Sequence, residues 1–159
     1  MNGLNIEYKE KVTNKLYREV IAFANGNGGT LKIGMADEKS VIGLENPLQD
    51  ENALYDQLSS MIEPMPLIEV TQEHIDGQVI LDVKVKATEH VYRKRDSLFE
   101  EIYIRYGSKK RLLKTAEEVH RFIRMRHLAE TENALTNTVF NAEDFSEFVD
   151  FVQSQSIYK

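Results

Sequence analysis

The stretch Ala22-Phe23-Ala24-Asn25-Gly26-Asn27-Gly28-Gly29-Thr30-Leu31-Lys32-Ile33-Gly34-Met35-Ala36-Asp37 changes its period half-way. Upstream, Leu16, Val20 and Phe23, with Ile21 and Ala24 beside them, stand at helical spacing behind a capping Thr13 or Asn14. Downstream, Leu31, Ile33 and Met35 alternate, and the spacing predicts a strand over Thr30–Ala36. Asn25–Gly29 stops the helix and turns the chain, because glycine enters left-handed backbone freely. The order is therefore helix, turn, strand. Phosphate-cradling loops run the opposite way, from a strand into a helix N-terminus, and no Gly-Lys-Ser/Thr follows. A P-loop is ruled out, and the spacing by itself describes a tight connection.

Working outward, Leu4–Glu10 alternates loosely and predicts a strand before the helix. Asp37–Ser40 turns into a short strand at Val41–Leu44. Asp50 is placed to cap a second helix with a core face of Leu54, Leu58, Met61 and Ile62, stopped by Pro64 and Pro66. Leu67–Ile75 and Gln78–Lys86 flank Asp76-Gly77, a hairpin dipeptide. A polar, basic loop over Thr88–Phe99 precedes a strand at Glu101–Tyr106 and a turn at Gly107-Ser108. Thr115 and Glu118 form a capping box that opens a helix to about Leu128. The order β-α-β-β-α-β-β-β-α predicts an α+β fold with a mixed sheet. Phe145, Phe148, Val149 and Val152 then stand at helical spacing within Ala142–Gln153, an amphipathic helix with no obvious partner. The expected organisation is one domain over residues 1–128. A linker and that helix follow over 129–159, read as the start of a truncated C-terminal region.

The chain has 159 residues, 42% of them hydrophobic, and no cysteine. Disulfides, zinc–thiolate sites and a thiol nucleophile are excluded, which fits a reducing cytoplasm. No apolar run approaches the roughly 20 residues of a membrane span, so no membrane is expected as partner. The net charge of −6 conceals an asymmetry. Residues 1–83 carry six basic and fourteen acidic side chains, or −8. Residues 84–126 carry thirteen and six, or +7, and residues 127–159 carry one and six, or −5. A basic segment between acidic ones is a partner signal.

Within that segment Arg93-Lys94-Arg95, Arg105, Ser108 and Lys109-Lys110-Arg111 fall in neighbouring loops and strands. Placed on one sheet edge they make a phosphate-binding rim. Tyr106, with Tyr92 and Tyr103, has the chemistry to stack on unpaired bases. Glu7 and Asp37 lie on strands expected to be adjacent, and such a carboxylate pair is able to hold Mg²⁺ or Mn²⁺ and activate water. No cofactor is otherwise indicated, and the four scattered histidines form no metal or triad pattern.

Ile6-Glu7-Tyr8-Lys9, the helix, Ala22–Asp37 and Val41-Ile42-Gly43-Leu44 together resemble the Schlafen AlbA-like family, also described as a divergent AAA-type or DNA-binding domain. Ile62-Glu63-Pro64, Val79–Val85 and Tyr103-Ile104-Arg105-Tyr106-Gly107-Ser108 match its later elements, and Asn25, Gly28, Gly29 and Gly34 are its motif positions. The resemblance implies a fold related to the Alba chromatin proteins. It implies a nucleic-acid-binding module of a bacterial transcriptional regulator, with DNA or RNA as partner. In eukaryotic Schlafens a related module resembles a metal-dependent endoribonuclease with three acidic residues. Glu7 and Asp37 fall at two of those positions, and Asn2 stands near the third. Two alternatives to simple binding stay open: that ribonuclease, and an oligomerisation or protein-interaction domain in which the chain self-associates.

Overall fold

The first helix stops at Asn25 and a strand begins at Gly29, as the change of period predicts. The structure is a computed structural model that describes residues 5–96 and 101–135, with side chains described as far as Arg126. Its elements are β1 (Ile6–Lys9), α1 (Tyr17–Asn25), β2 (Gly29–Ile33), β3 (Met35–Asp37), β4 (Ser40–Val41) and α2 (Pro47–Met61). There follow β5 (Ile62–Glu63), β6 (Ile68–Ile75), β7 (Gln78–Val85), β8 (Arg93–Lys94), β9 (Tyr103–Tyr106), β10 (Lys109–Leu112) and α3 (Ala116–Leu135). The predicted helix at Ala142–Gln153 lies outside the described residues.

The main sheet has the order β1-β2-β7-β6, with β1 parallel to β2 and the other pairs antiparallel. This is the mixed sheet of an α+β fold. Leu31 pairs with Val83 and Ile33 with Leu81, so these four share one face. With Val20, Ile21 and Phe23 of α1 and Leu54 and Leu58 of α2 they form the core. Each such fully buried aliphatic side chain contributes about 2 kcal/mol. On the opposite face, Lys32 donates to Glu73 at 3.0 Å and to Asp82 at 3.2 Å. Burial disfavours its charge, but the two carboxylates hold its pKa above the ordinary lysine value. Lys32 is therefore charged and already ion-paired.

Several element boundaries differ from the sequence expectation. The first helix begins at Tyr17, with Leu16 at its N-cap position instead of Thr13 or Asn14. The strand expected over Thr30–Ala36 bends at Gly34, which has φ +111°. Gly34 donates to Lys9 O at 2.7 Å and accepts from the amides of Ile42 and Gly43, so tertiary pairing turns the chain there. The second helix begins at Pro47, not after Asp50: Asn46 stands at the N-cap position without a side-chain capping bond, and Pro47 supplies a preset first helical residue. Ile62 leaves that helix and joins β5, where it pairs with Lys94.

The predicted Asp76-Gly77 hairpin forms, and both residues have positive φ, the backbone of a tight two-residue turn. Among the described residues, 5–88 with 92–96 and 101–112 belong to one compact unit, and 89–91 with 113–135 to a second. In the second, the capping box closes as expected. The Glu118 amide donates to Thr115 Oγ1 at 3.0 Å, and Glu118 Oε1 accepts from the Thr115 amide at 3.4 Å. The helix runs beyond Leu128, to Leu135. Among the described residues no helix is long and apolar enough to cross a membrane.

Candidate functional site

The glycine-rich junction is the first place to look for chemistry. Asn25 is 3% exposed at the end of α1. Its Nδ2 donates to the carbonyls of Tyr92 and Tyr103, both at 2.9 Å, and its Oδ1 accepts from the Tyr92 amide at 2.7 Å. One side chain thus ties α1 to the segments entering β8 and β9. Gly28 has φ +80°, and a Cβ there would stand 2.7 Å from Val85 O. At Gly29 the Phe23 ring occupies the space of a Cβ. These groups are engaged in holding the frame.

The basic segment is organised by a ribbon that composition does not show. Lys109–Leu112 pairs back on Tyr103–Tyr106 across Gly107-Ser108, where the expectation was a loop. Lys110 lies opposite Arg105, Lys109 opposite Tyr106, and Arg111 opposite Ile104. Because strand side chains alternate, Arg105 and Lys110 share one face, and Ile104, Tyr106, Lys109 and Arg111 share the other.

The inner face is filled by acids of the core unit. The Arg105 guanidinium lies 4.3 Å from the centre of the Phe23 ring and 3.5 Å from Glu7 Oε1, and its side chain is 7% exposed. Lys110 Nζ lies 2.5 Å from Glu19 Oε1, and Lys9 Nζ lies 3.5 Å from the same oxygen. Glu19 is buried within α1. Beside it, the Tyr103 hydroxyl donates to Glu101 at 2.9 Å; burial and that neighbouring carboxylate raise its pKa. The Arg18 guanidinium lies 5.8 Å from the Tyr17 and Tyr103 ring centres.

The outer face is open. Tyr106 is 72% exposed, and Ser108, Lys109 and Arg111 are exposed around it. The Lys109 side chain makes no hydrogen bond or ion pair among the described residues. The tripeptide Arg93-Lys94-Arg95 serves elsewhere. Arg93 and Lys94 form β8 against β5. Arg95 donates from its amide to Met61 O at 2.7 Å and from its guanidinium to Ile62 O and Glu63 Oε1. The structure therefore brings Tyr106, Ser108, Lys109 and Arg111 together, turns Arg105 and Lys110 inward, and gives Arg95 a framework role.

The two candidate acids are also placed. Glu7 faces Arg105, and Asp37 Oδ1 accepts from the Lys39 amide at 2.8 Å in its own turn. Among the described residues no group of three or more histidine, cysteine, aspartate or glutamate side chains is arranged to hold a metal ion. Glu7 and Asp37 are each engaged by a neighbouring group of the protein. Glu19 and Lys9 went unnoticed in the sequence. The signal was a lone acid inside the apolar run Tyr17–Ala24, which requires a buried partner.

With this geometry in hand, the family model described as Schlafen, AlbA_2 matches residues 2–114. The chain belongs to the Schlafen AlbA_2 family. No curated protein matches it significantly. Among solved structures, a Corynebacterium diphtheriae protein is 22% identical with a TM-score of 0.58. The match covers 77% of this chain, which spans about a quarter (24%) of that protein's length. The N-terminal domain of a RecG-related protein from Nitrosomonas europaea, whose name refers it to ATP-dependent DNA helicases, is 23% identical with a TM-score of 0.54. That match covers 71% of this chain and 81% of the other. At such identities the likeness concerns the fold. In this AlbA_2 domain the Asn-Gly motif builds the frame, and the ribbon after the Tyr-x-Arg-x-Gly-Ser strand presents the open basic surface.

Proposed function

We propose that this AlbA_2 domain is the nucleic-acid-binding module of a bacterial transcriptional regulator and grips the phosphate backbone with the outer face of the β9–β10 ribbon. The carrying observation is the division of the ribbon. Arg105 and Lys110 face Glu7 and Glu19, while Lys109 is exposed on the outer face opposite Tyr106, with Arg111 on the same face. Cations presented on an exposed face are what a polyanion meets first. The helicase relation in the name of the Nitrosomonas protein supports the same reading. Self-association belongs to the proposal, supported by β6, eight residues long and hydrogen-bonded on one side to β7 in the sheet.

The test is binding of labelled DNA and RNA across a salt series. Affinity should fall linearly on logarithmic axes, with little dependence on sequence. Absence of binding at low salt would sink the reading. Light scattering of the same sample checks self-association, and a monomer mass at all concentrations removes that part.

A further inference from the structure

We infer that the outer face of the ribbon is built for single-stranded nucleic acid, with Tyr106 as the platform on which an unpaired base stacks. This rests on the nucleic-acid reading above and narrows its substrate class.

Tyr106 is the most exposed of the large apolar or aromatic side chains among the described residues, at 72%. It lies at the tip of the ribbon, directly before the Gly107-Ser108 turn, and a Cβ on Gly107 would meet nothing within 4 Å. The ring thus borders open space. Its cross-strand partner is Lys109, and Arg111 follows two residues along β10 on the same face. An aromatic face flanked by cations is the chemistry of single-strand grooves: the cations follow the backbone and the ring takes the base. Reading a duplex in its major groove calls instead for donors and acceptors aimed at base edges. The inner pair offers none, because Arg105 and Lys110 are turned toward Glu7 and Glu19. In a paired duplex, moreover, no base face is available to the ring.

Burial gives Tyr106 no part in the core, so its truncation leaves the fold intact, which an unchanged melting temperature verifies. The test uses the full chain with two labelled strands of equal length, an oligothymidylate and an abasic strand with the same phosphates. Wild type should bind the oligothymidylate about fivefold or more tightly, the scale of one stacked base. Tyr106→Ala should bring the two affinities together, and Tyr106→Phe should preserve the gap. Tyr55→Ala, on α2, serves as the control and should also preserve it. A duplex at equal phosphate concentration should compete less well than the oligothymidylate.

Equal wild-type affinity for the two strands overturns the inference and leaves the nucleic-acid reading standing. So does a gap that survives Tyr106→Ala, or a duplex that competes equally. Failure of every strand to bind at low salt overturns both.

Discussion

At the Asn25–Gly29 junction, both donors and the acceptor of the Asn25 amide are satisfied inside the protein, and the Phe23 ring fills the space beside Gly29. At the tip of the β9–β10 ribbon, Tyr106 and Lys109 face outward and contribute nothing to the core. Both stretches carry family motifs, yet they serve opposite ends. The junction fixes the position of β9 by holding the Tyr103 carbonyl, and so fixes where the ribbon stands. The ribbon's outer residues are then free to be chosen for a ligand. A motif that identifies a family need not mark the surface where the ligand sits.

That contrast can be broken by mutation. Asn25→Ala should be the most damaging change, lowering stability by about 3 kcal/mol or more, because it removes three buried hydrogen bonds, from the Tyr92 amide and to the carbonyls of Tyr92 and Tyr103. Urea unfolding reads this as a lower midpoint at unchanged slope, and a loss well under 1 kcal/mol would dissolve the contrast. Arg105→Ala comes next, at about 2 kcal/mol. It removes the guanidinium from the Phe23 ring and leaves Glu7 without its cation. Its effect should appear in thermal unfolding before it appears in nucleic-acid affinity, and the reverse order would place Arg105 at the ligand.

Replacing Lys109 by alanine should leave the melting temperature unchanged. It should weaken binding about threefold and flatten the logarithmic salt dependence by about 0.8 units, roughly the loss of one phosphate contact. An unaltered salt slope would separate this residue from the backbone. The smallest effect is expected from Glu19→Gln, which frees Lys110 and Lys9 from their shared carboxylate. Nucleic-acid affinity should rise, by about threefold, with a steeper salt dependence. A fall in affinity would show that the inner pair matters to binding through its geometry rather than its charge.

Much of the frame was legible because local chemistry and global fold agree. The end of the first helix at Asn25, the Asp76-Gly77 turn and the Thr115/Glu118 box formed where residue type demanded, whereas that helix starts at Tyr17, with Leu16 and not Thr13 or Asn14 at its N-cap position. The bend at Gly34 was hidden, because Leu31, Ile33 and Met35 keep a period of two straight across it. The hydrogen bonds that Gly34 donates to Lys9 O and accepts from the amides of Ile42 and Gly43 reveal it. Strand β10 was hidden for another reason. Lys109-Lys110-Arg111-Leu112 has no apolar alternation, since one of its faces meets solvent and the other meets carboxylates. A charge count treated its lysines and arginine as a single cluster. Alternation across the ribbon sorts them into an inner and an outer set, and the functional argument turns on that sorting.

The Asn25 clamp also sets a limit on the chemical lifetime of the protein. Asn25 precedes Gly26, the dipeptide in which an asparagine amide is most readily lost through a cyclic imide when the backbone is free to bend. In the folded chain the amide is buried and held by three hydrogen bonds, which keeps it from that reaction. Once the chain unfolds, the shield is gone. The aspartate that forms has no N–H groups for the carbonyls of Tyr92 and Tyr103. Protein held unfolded by heat should therefore lose its capacity to refold in step with loss of the Asn25 amide, read by peptide mapping because Asn2 and Asn27 also precede glycines. The same side chain that fixes the ribbon then acts as a clock on how long an unfolded molecule remains recoverable.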